Sequence, residues 1–202
     1  MNEPGIGRIL VASLHQGISD LLPARLEFYE SWLNPDALRH GTIGVAPVLA
    51  VLSFLRQEGE PYQHVTRRAG EYAAEWTVAS RSSARRSLVQ SLPLWFRSRA
   101  VLRLAKRAIS GMHNGHRVRL QVRGGEGTLD VRDSIFCGVR DRAREPLCEF
   151  HAAAVSRLLD LYGVPGEVRL GHCRAVGDPS CVITVTLQSR RPSRVVSVTS
   201  PE

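Results

Sequence analysis

Lysine is almost missing from this chain of 202 residues: 26 of its 27 basic side chains are arginine, and Lys106 is the exception. Such a skew is what coding bias produces, and alone it identifies no partner. Aromatics are sparse at 6%, and 17 glycines in no repeat exclude collagen-like or low-complexity bulk. The longest apolar stretch, Val45 to Leu55, is interrupted by Pro47 and Ser53. It falls well short of the roughly 20 residues a membrane span needs, so none is expected. The start of the chain carries Glu3 and no basic segment ahead of an apolar core and cleavage site, so nothing there reads as a secretory signal. The expected location is therefore cytoplasmic, with the four cysteines reduced.

Catalytic signatures are missing as well. No Ser/His/Asp order, glycine-rich phosphate cradle or dinucleotide fingerprint is present, and Gly124-Gly125-Glu126-Gly127 reads as a turn. Glu149 and His151 lie close on one helical stretch, and Asp130 and Asp133 on the first hairpin, without a nucleophile beside them. A binding module is expected rather than an enzyme.

What is present suits one core: 43% of the residues are hydrophobic and 23% charged. The formal charge of +8 is concentrated between Arg81 and Arg123, a stretch with eleven basic residues and no acidic one. Such a stripe attracts phosphate, anionic lipid or an acidic partner, or forms the solvated face of an apolar helix. No aromatics are interleaved at the spacing of single-strand binders, so nucleic acid is not the expected partner.

Apolar residues recur with a helical period in the first half. Ile6, Ile9, Leu10, Leu14, Ile18 and Leu21 predict a helix over Gly5 to Leu22, ended by Pro23. Leu26 to Leu33 is ambiguous, and Asn34-Pro35-Asp36 is a turn or helix start. Helices follow over Val48 to Gln57, Tyr62 to Thr77 and Leu88 to Ile109, the last broken or kinked at Pro93. From His116 the period becomes two: Val118, Leu120 and Val122 alternate with polar residues, and a second strand covers Thr128 to Phe136. Leu147 to Tyr162 is an amphipathic helix opened by Pro146, and Glu167 to Cys173 pairs with Cys181 to Leu187 in a second hairpin. The expected fold is α+β, a helical N-terminal half packed on a four-stranded antiparallel sheet. One domain is expected over 1–188, helical to 112 and hairpin, helix, hairpin over 115–188, with a loose basic tail over 189–202.

Cys173 and Cys181 are separated by seven residues containing Gly177, so the second hairpin can bring them across from each other, and Cys148 reaches the same point if its helix packs on the sheet. Three converging thiolates suit zinc, with one further ligand or a water. Small buried core cysteines and a Cys173–Cys181 disulfide are the alternatives. Cys137 has no such partner spacing and is expected in the core.

The run Cys148-Glu-Phe-His-Ala-Ala-Ala-Val-Ser-Arg-Leu-Leu, then Gly163 and Glu167, then Cys173-Arg-Ala-Val-Gly-Asp-Pro-Ser-Cys181-Val-Ile, resembles the signature of the 4-vinyl reductase domain family. By motif the resemblance covers residues 115 to 187. That family shares its fold with TRAPP-type tethering subunits and occurs in phenol-sensing transcription activators, hydrocarbon-binding proteins and a bacteriochlorophyll-biosynthesis protein. The resemblance implies a two-layer, often homodimeric module with an apolar pocket between helices and sheet. It also implies zinc on the positions of Cys148, Cys173 and Cys181, with a glutamate three residues before the first hairpin cysteine. Leu170 stands there instead, so His151, one turn from Cys148, is the expected fourth ligand; His172 points to the opposite strand face.

The favoured function is binding or sensing of an apolar or amphipathic small molecule, with Trp76, Trp95, Phe96 and Phe136 as candidate lining and an arginine pairing any acid group. An accessory protein of tetrapyrrole or bacteriochlorophyll metabolism is the alternative. A tethering protein that uses the fold as an interaction surface is a weaker third reading.

Overall fold

The computed structural model describes residues 5–33, 43–113, 117–139 and 142–188. The Asn34-Pro35-Asp36 turn and the 189–202 tail lie outside them. A short strand β1 (Gly5–Ile6) pairs antiparallel with β2 (Ile43–Gly44). Between them run α1 (Arg8–Leu21) and α2 (Leu26–Leu33). Then follow α3 (Val45–Gln57), α4 (Pro61–Ala79), α5 (Ser83–Ser91) and α6 (Leu94–Met112). The C-terminal half is β3 (Arg117–Arg123), β4 (Glu126–Arg132), α7 (Glu149–Leu161), β5 (Gly166–His172) and β6 (Cys181–Leu187).

The sheet order is β3-β4-β6-β5, antiparallel throughout. Alternation decides which face is buried: Leu129 and Val131 of β4 and Cys181, Ile183 and Val185 of β6 point inward, while Arg117 and Arg119 of β3 stay exposed. The Gly124–Gly125 turn closes the first hairpin with φ of +57° and +85°, the left-handed pair that matches the twist of the strands.

Helix α7 lies against β5 and α6 against β3, and α4 packs across α7 and carries α1 on its other side. Small residues make the α4–α7 crossing close. A Cβ at Gly70 would collide with the Phe150 carbonyl and approach Ala153 Cβ to 3.1 Å. On the other side a Cβ at Gly17 would meet the Val65 carbonyl at 2.9 Å. Fully buried Leu10, Leu14, Ile18, Leu52, Phe150 and Leu158 join one continuous core, each contributing about 1.5–3 kcal/mol by burial.

Pro93 separates α5 from α6, as a missing N–H and a clash with the preceding turn require. Several boundaries differ from the sequence reading: Gly5–Ile6, read as the start of the first helix, is the short strand β1, and α5 begins at Ser83 rather than at Leu88. Strand β4 stops at Arg132 because Asp133 turns the chain at a φ of +59°, and residues Ile135–Cys137 form a 3₁₀ turn in place of further strand. Helix α7 begins at Glu149, so Pro146 precedes it and Cys148 occupies the N-cap.

Candidate metal centre and surface grooves

Four segments deliver one cysteine each to a single point. Cys137 ends the 3₁₀ turn after β4, Cys148 caps α7, Cys173 follows β5 and Cys181 opens β6. Their sulfur atoms all lie within 4.8 Å of one another. The Sγ–Sγ separations include 3.0 Å for Cys137–Cys148, 2.9 Å for Cys148–Cys181, 3.3 Å for Cys137–Cys181 and 3.5 Å for Cys148–Cys173. All four residues are buried, Cys148 and Cys181 at 0% exposure.

The sequence has local devices for this convergence. Asp133, the left-handed residue, faces the guanidiniums of Arg117 at 3.8 Å and Arg174 at 3.4 Å. Arg56 of α3 donates to the carbonyls of Phe136 at 3.1 Å and Gly138 at 3.4 Å, on either side of Cys137. In the Cys173-to-Cys181 loop, Gly177 takes a φ of +107°, and the Asp178 carboxylate accepts the Cys173 N–H at 2.8 Å. The Gly-Asp pair of the motif is thus a turn that aims Cys173.

Taken as thiols, the four perturb each other strongly. Hydrogen bonds from Cys137, Cys148 and Cys181, and from the Leu147 N–H at 3.4 Å, hold Cys173 well below the ordinary thiol range. Contact with Cys137, Cys173 and Cys181, and then burial, pushes Cys148 far up. Four thiolates this close cannot coexist without a compensating positive charge. A cation at their centre supplies it, and tetrahedral zinc would need the sulfurs only slightly farther apart, about 3.8 Å. The donor set therefore fits a single thiophilic ion with a closed shell.

Three of the residues singled out in the sequence, Cys148, Cys173 and Cys181, meet here, and the fourth member is Cys137. His151 is fully buried one turn into α7, but its Nε2 sits 3.0 Å from Ser134 Oγ, with Phe136 and Phe150 edge-on to the ring. It is not among the clustered donor atoms. Leu170 pairs with Ile183 in the sheet, and His172 is exposed, its Nδ1 3.5 Å from Asp178.

The four candidate lining aromatics occupy separate environments. Phe136 is fully buried and stacks on Phe150 at 4.7 Å. Trp76 stacks on Tyr72 of the same helix at 5.5 Å. Trp95 and Phe96 are exposed, and Trp95 borders a 420 Å³ cavity beside Arg99, Val122 and Leu187. Between the helices and the sheet, where the resemblance implies a pocket, Phe136, Phe150, Leu158 and Ile183 are packed in the core. A larger groove of 890 Å³ opens on the surface. Arg56, Tyr62 and Gln63 lie on one side and Val139, Ala143, Arg144, Glu145 and Leu147 on the other, with Gln63 donating to the Glu145 carboxylate across it. The second wall comes from residues 139, 143–145 and 147, which lie between Cys137 and Cys148 in the chain. Tyr62 donates to the Leu147 carbonyl at 3.1 Å, and the Leu147 N–H points at Cys173 Sγ.

No helix among the described residues is long and apolar enough to cross a membrane. No protein-family model matches the chain, and no curated protein matches it. Solved structures do. The phenol-responsive sensory domain of the transcription activator PoxR with phenol is 16% identical, with 72% of this chain and 75% of that one covered, at a TM-score of 0.47. Trafficking protein particle complex subunit 3 from Naegleria fowleri, covalently bound to palmitic acid, is 13% identical over 89% and 96%, at 0.47. An H-NOX protein from Shewanella oneidensis in the Fe(II)NO state is 10% identical over 91% of this chain and 100% of that one, at 0.55. The last comparison shows a shared fold over 91% of this chain.

Proposed function

We propose that residues 1–188 form a single small-molecule-binding sensory domain, held together by one zinc ion on Cys137, Cys148, Cys173 and Cys181. The observation that carries this reading is the buried four-sulfur cluster, two of whose members bracket a wall of the 890 Å³ groove. Four soft thiolates with no open position suit a structural zinc rather than a catalytic one. When bound, zinc supplies the charge that keeps the four thiolates ionised and ties α7 to both hairpins.

The groove takes an apolar or amphipathic ligand. An occupant touching Tyr62 would be two hydrogen bonds from Cys173, through the Leu147 carbonyl and N–H. Pressure on the Cys137-to-Cys148 segment is thereby felt at the metal.

Native mass spectrometry of the full chain, purified without added metal, tests the reading. The expected spectrum carries the mass of one zinc and any co-purified small molecule, and it also reads the dimer that the 4-vinyl reductase resemblance implies. A metal-free mass with four alkylatable thiols in the native fold would overturn the zinc site.

A further inference from the structure

Six large apolar side chains are exposed among the described residues, and three of them, Leu88, Trp95 and Phe96, fall on the α5–α6 corner. Leu88 is 65% exposed and Trp95 57%. Helix α5 has no buried residue. Arginines surround this corner. Arg85 and Arg86 are exposed on α5, and Arg99 and Arg103 follow Phe96 on α6 at three- and four-residue steps, so they rise from the face that carries the rings. The Arg99 guanidinium lies 5.8 Å from the centre of the Trp95 ring. These four arginines make no ion pair among the described residues, whereas the neighbouring Arg97 turns inward to the Leu92 carbonyl at 3.0 Å. The stretch from Arg81 to Arg123 offers no carboxylate to neutralise them.

We propose that the α5–α6 corner is a docking surface for an anionic lipid bilayer, with Leu88, Trp95 and Phe96 entering the headgroup layer and Arg85, Arg86, Arg99 and Arg103 pairing with lipid phosphates. Charge complementarity selects this occupant. A second copy meeting the corner through a twofold axis would set like charges face to face. An exposed corner that mixes aromatic and leucine side chains with arginine matches the interfacial mode of membrane binding, in which apolar burial and attraction to anionic lipid add.

The test uses the full chain with vesicles of phosphatidylcholine, alone or with about one-third phosphatidylglycerol. Co-sedimentation should be at least roughly tenfold stronger on the anionic vesicles, with a blue shift of tryptophan emission. Most of the binding should be lost at about 0.5 M salt, where the Debye length is only a few ångströms. The pair Leu88→Ser and Phe96→Ser should abolish binding with an unchanged melting curve, because both side chains are exposed. Trp95→Phe should remove the blue shift while Trp32 and Trp76 remain. Equal binding to neutral and anionic vesicles, or full binding by the double variant, overturns the proposal. So does retention on immobilised polyglutamate with no vesicle binding, which would assign the corner to an acidic polypeptide.

Discussion

The carboxylate of Asp178 accepts the backbone N–H of Cys173 at 2.8 Å, and this bond fixes the direction in which the Cys173 sulfur leaves the chain. Asp178→Ala removes an acceptor that touches no other cysteine. Partners that orient a ligand in this way typically account for a 10- to 100-fold change in metal affinity. The expected outcome is a loss of that order in competition with a chromogenic zinc chelator, with the four thiols still present.

Cys137 and His151 make opposite predictions for the metal. Cys137→Ser should reduce bound zinc and the melting temperature as much as Cys173→Ser does, because a structural ion contributes to folding through every ligand. His151→Ala should keep its zinc. It should nevertheless cost about 1–3 kcal/mol in urea unfolding, since Ser134 Oγ loses its partner in the core. Metal content by atomic emission separates the two; zinc loss on His151→Ala would place the imidazole in the shell instead.

Gly70→Ala tests the closeness of α4 and α7. The added methyl meets the Phe150 carbonyl, and backbone on both sides must move apart. A destabilisation of about 1–3 kcal/mol is expected from overpacking, although alanine is the better helix former. A neutral result in equilibrium denaturation would mean that the helices separate freely.

His113 bridges to Ile6 at the end of α6, and burial holds its imidazole below the usual histidine range. The unfolded chain therefore binds more protons than the folded one near and below about pH 6.5. The sign follows: this contribution is fully present above that pH and is lost as the pH falls through the folded value. His113→Gln should narrow the difference in urea midpoint between about pH 7.5 and 5.5. An unchanged difference would show that another group sets the acid limb.

The repeat periods and the motif spacing made much of this legible. The change from a 3.6-residue to a two-residue period placed both hairpins and α7 within a few residues of their bounds, because inward positions must be apolar in either geometry. Cys148, Cys173 and Cys181 were readable as a set from the hairpin spacing and the helix start. Cys137 was not: a strand extended to Phe136 would carry it away from the others, and nothing local announces that Asp133, a non-glycine residue, turns left-handed. The orientation of His151 was equally hidden. One turn from Cys148 permits convergence, and the ring turns instead to Ser134, a residue 17 positions earlier.

By itself the sequence determined the order of the long helices and of the two hairpins, the apolar face of their strands, the turn at Gly124–Gly125 and the basic stretch from Arg81 to Arg123, all properties of local geometry and alternation; the short β1–β2 pair was not legible in it. Tertiary structure alone decided that four cysteines rather than three share a centre, that Phe136 packs in the core, and that Trp95 and Phe96 stay outside it. The reason is physical: contacts such as Arg56 to the Phe136 carbonyl join residues 80 positions apart. Such contacts depend on how whole helices settle against the sheet, a choice made by the packing of the complete core and written in no short stretch of it.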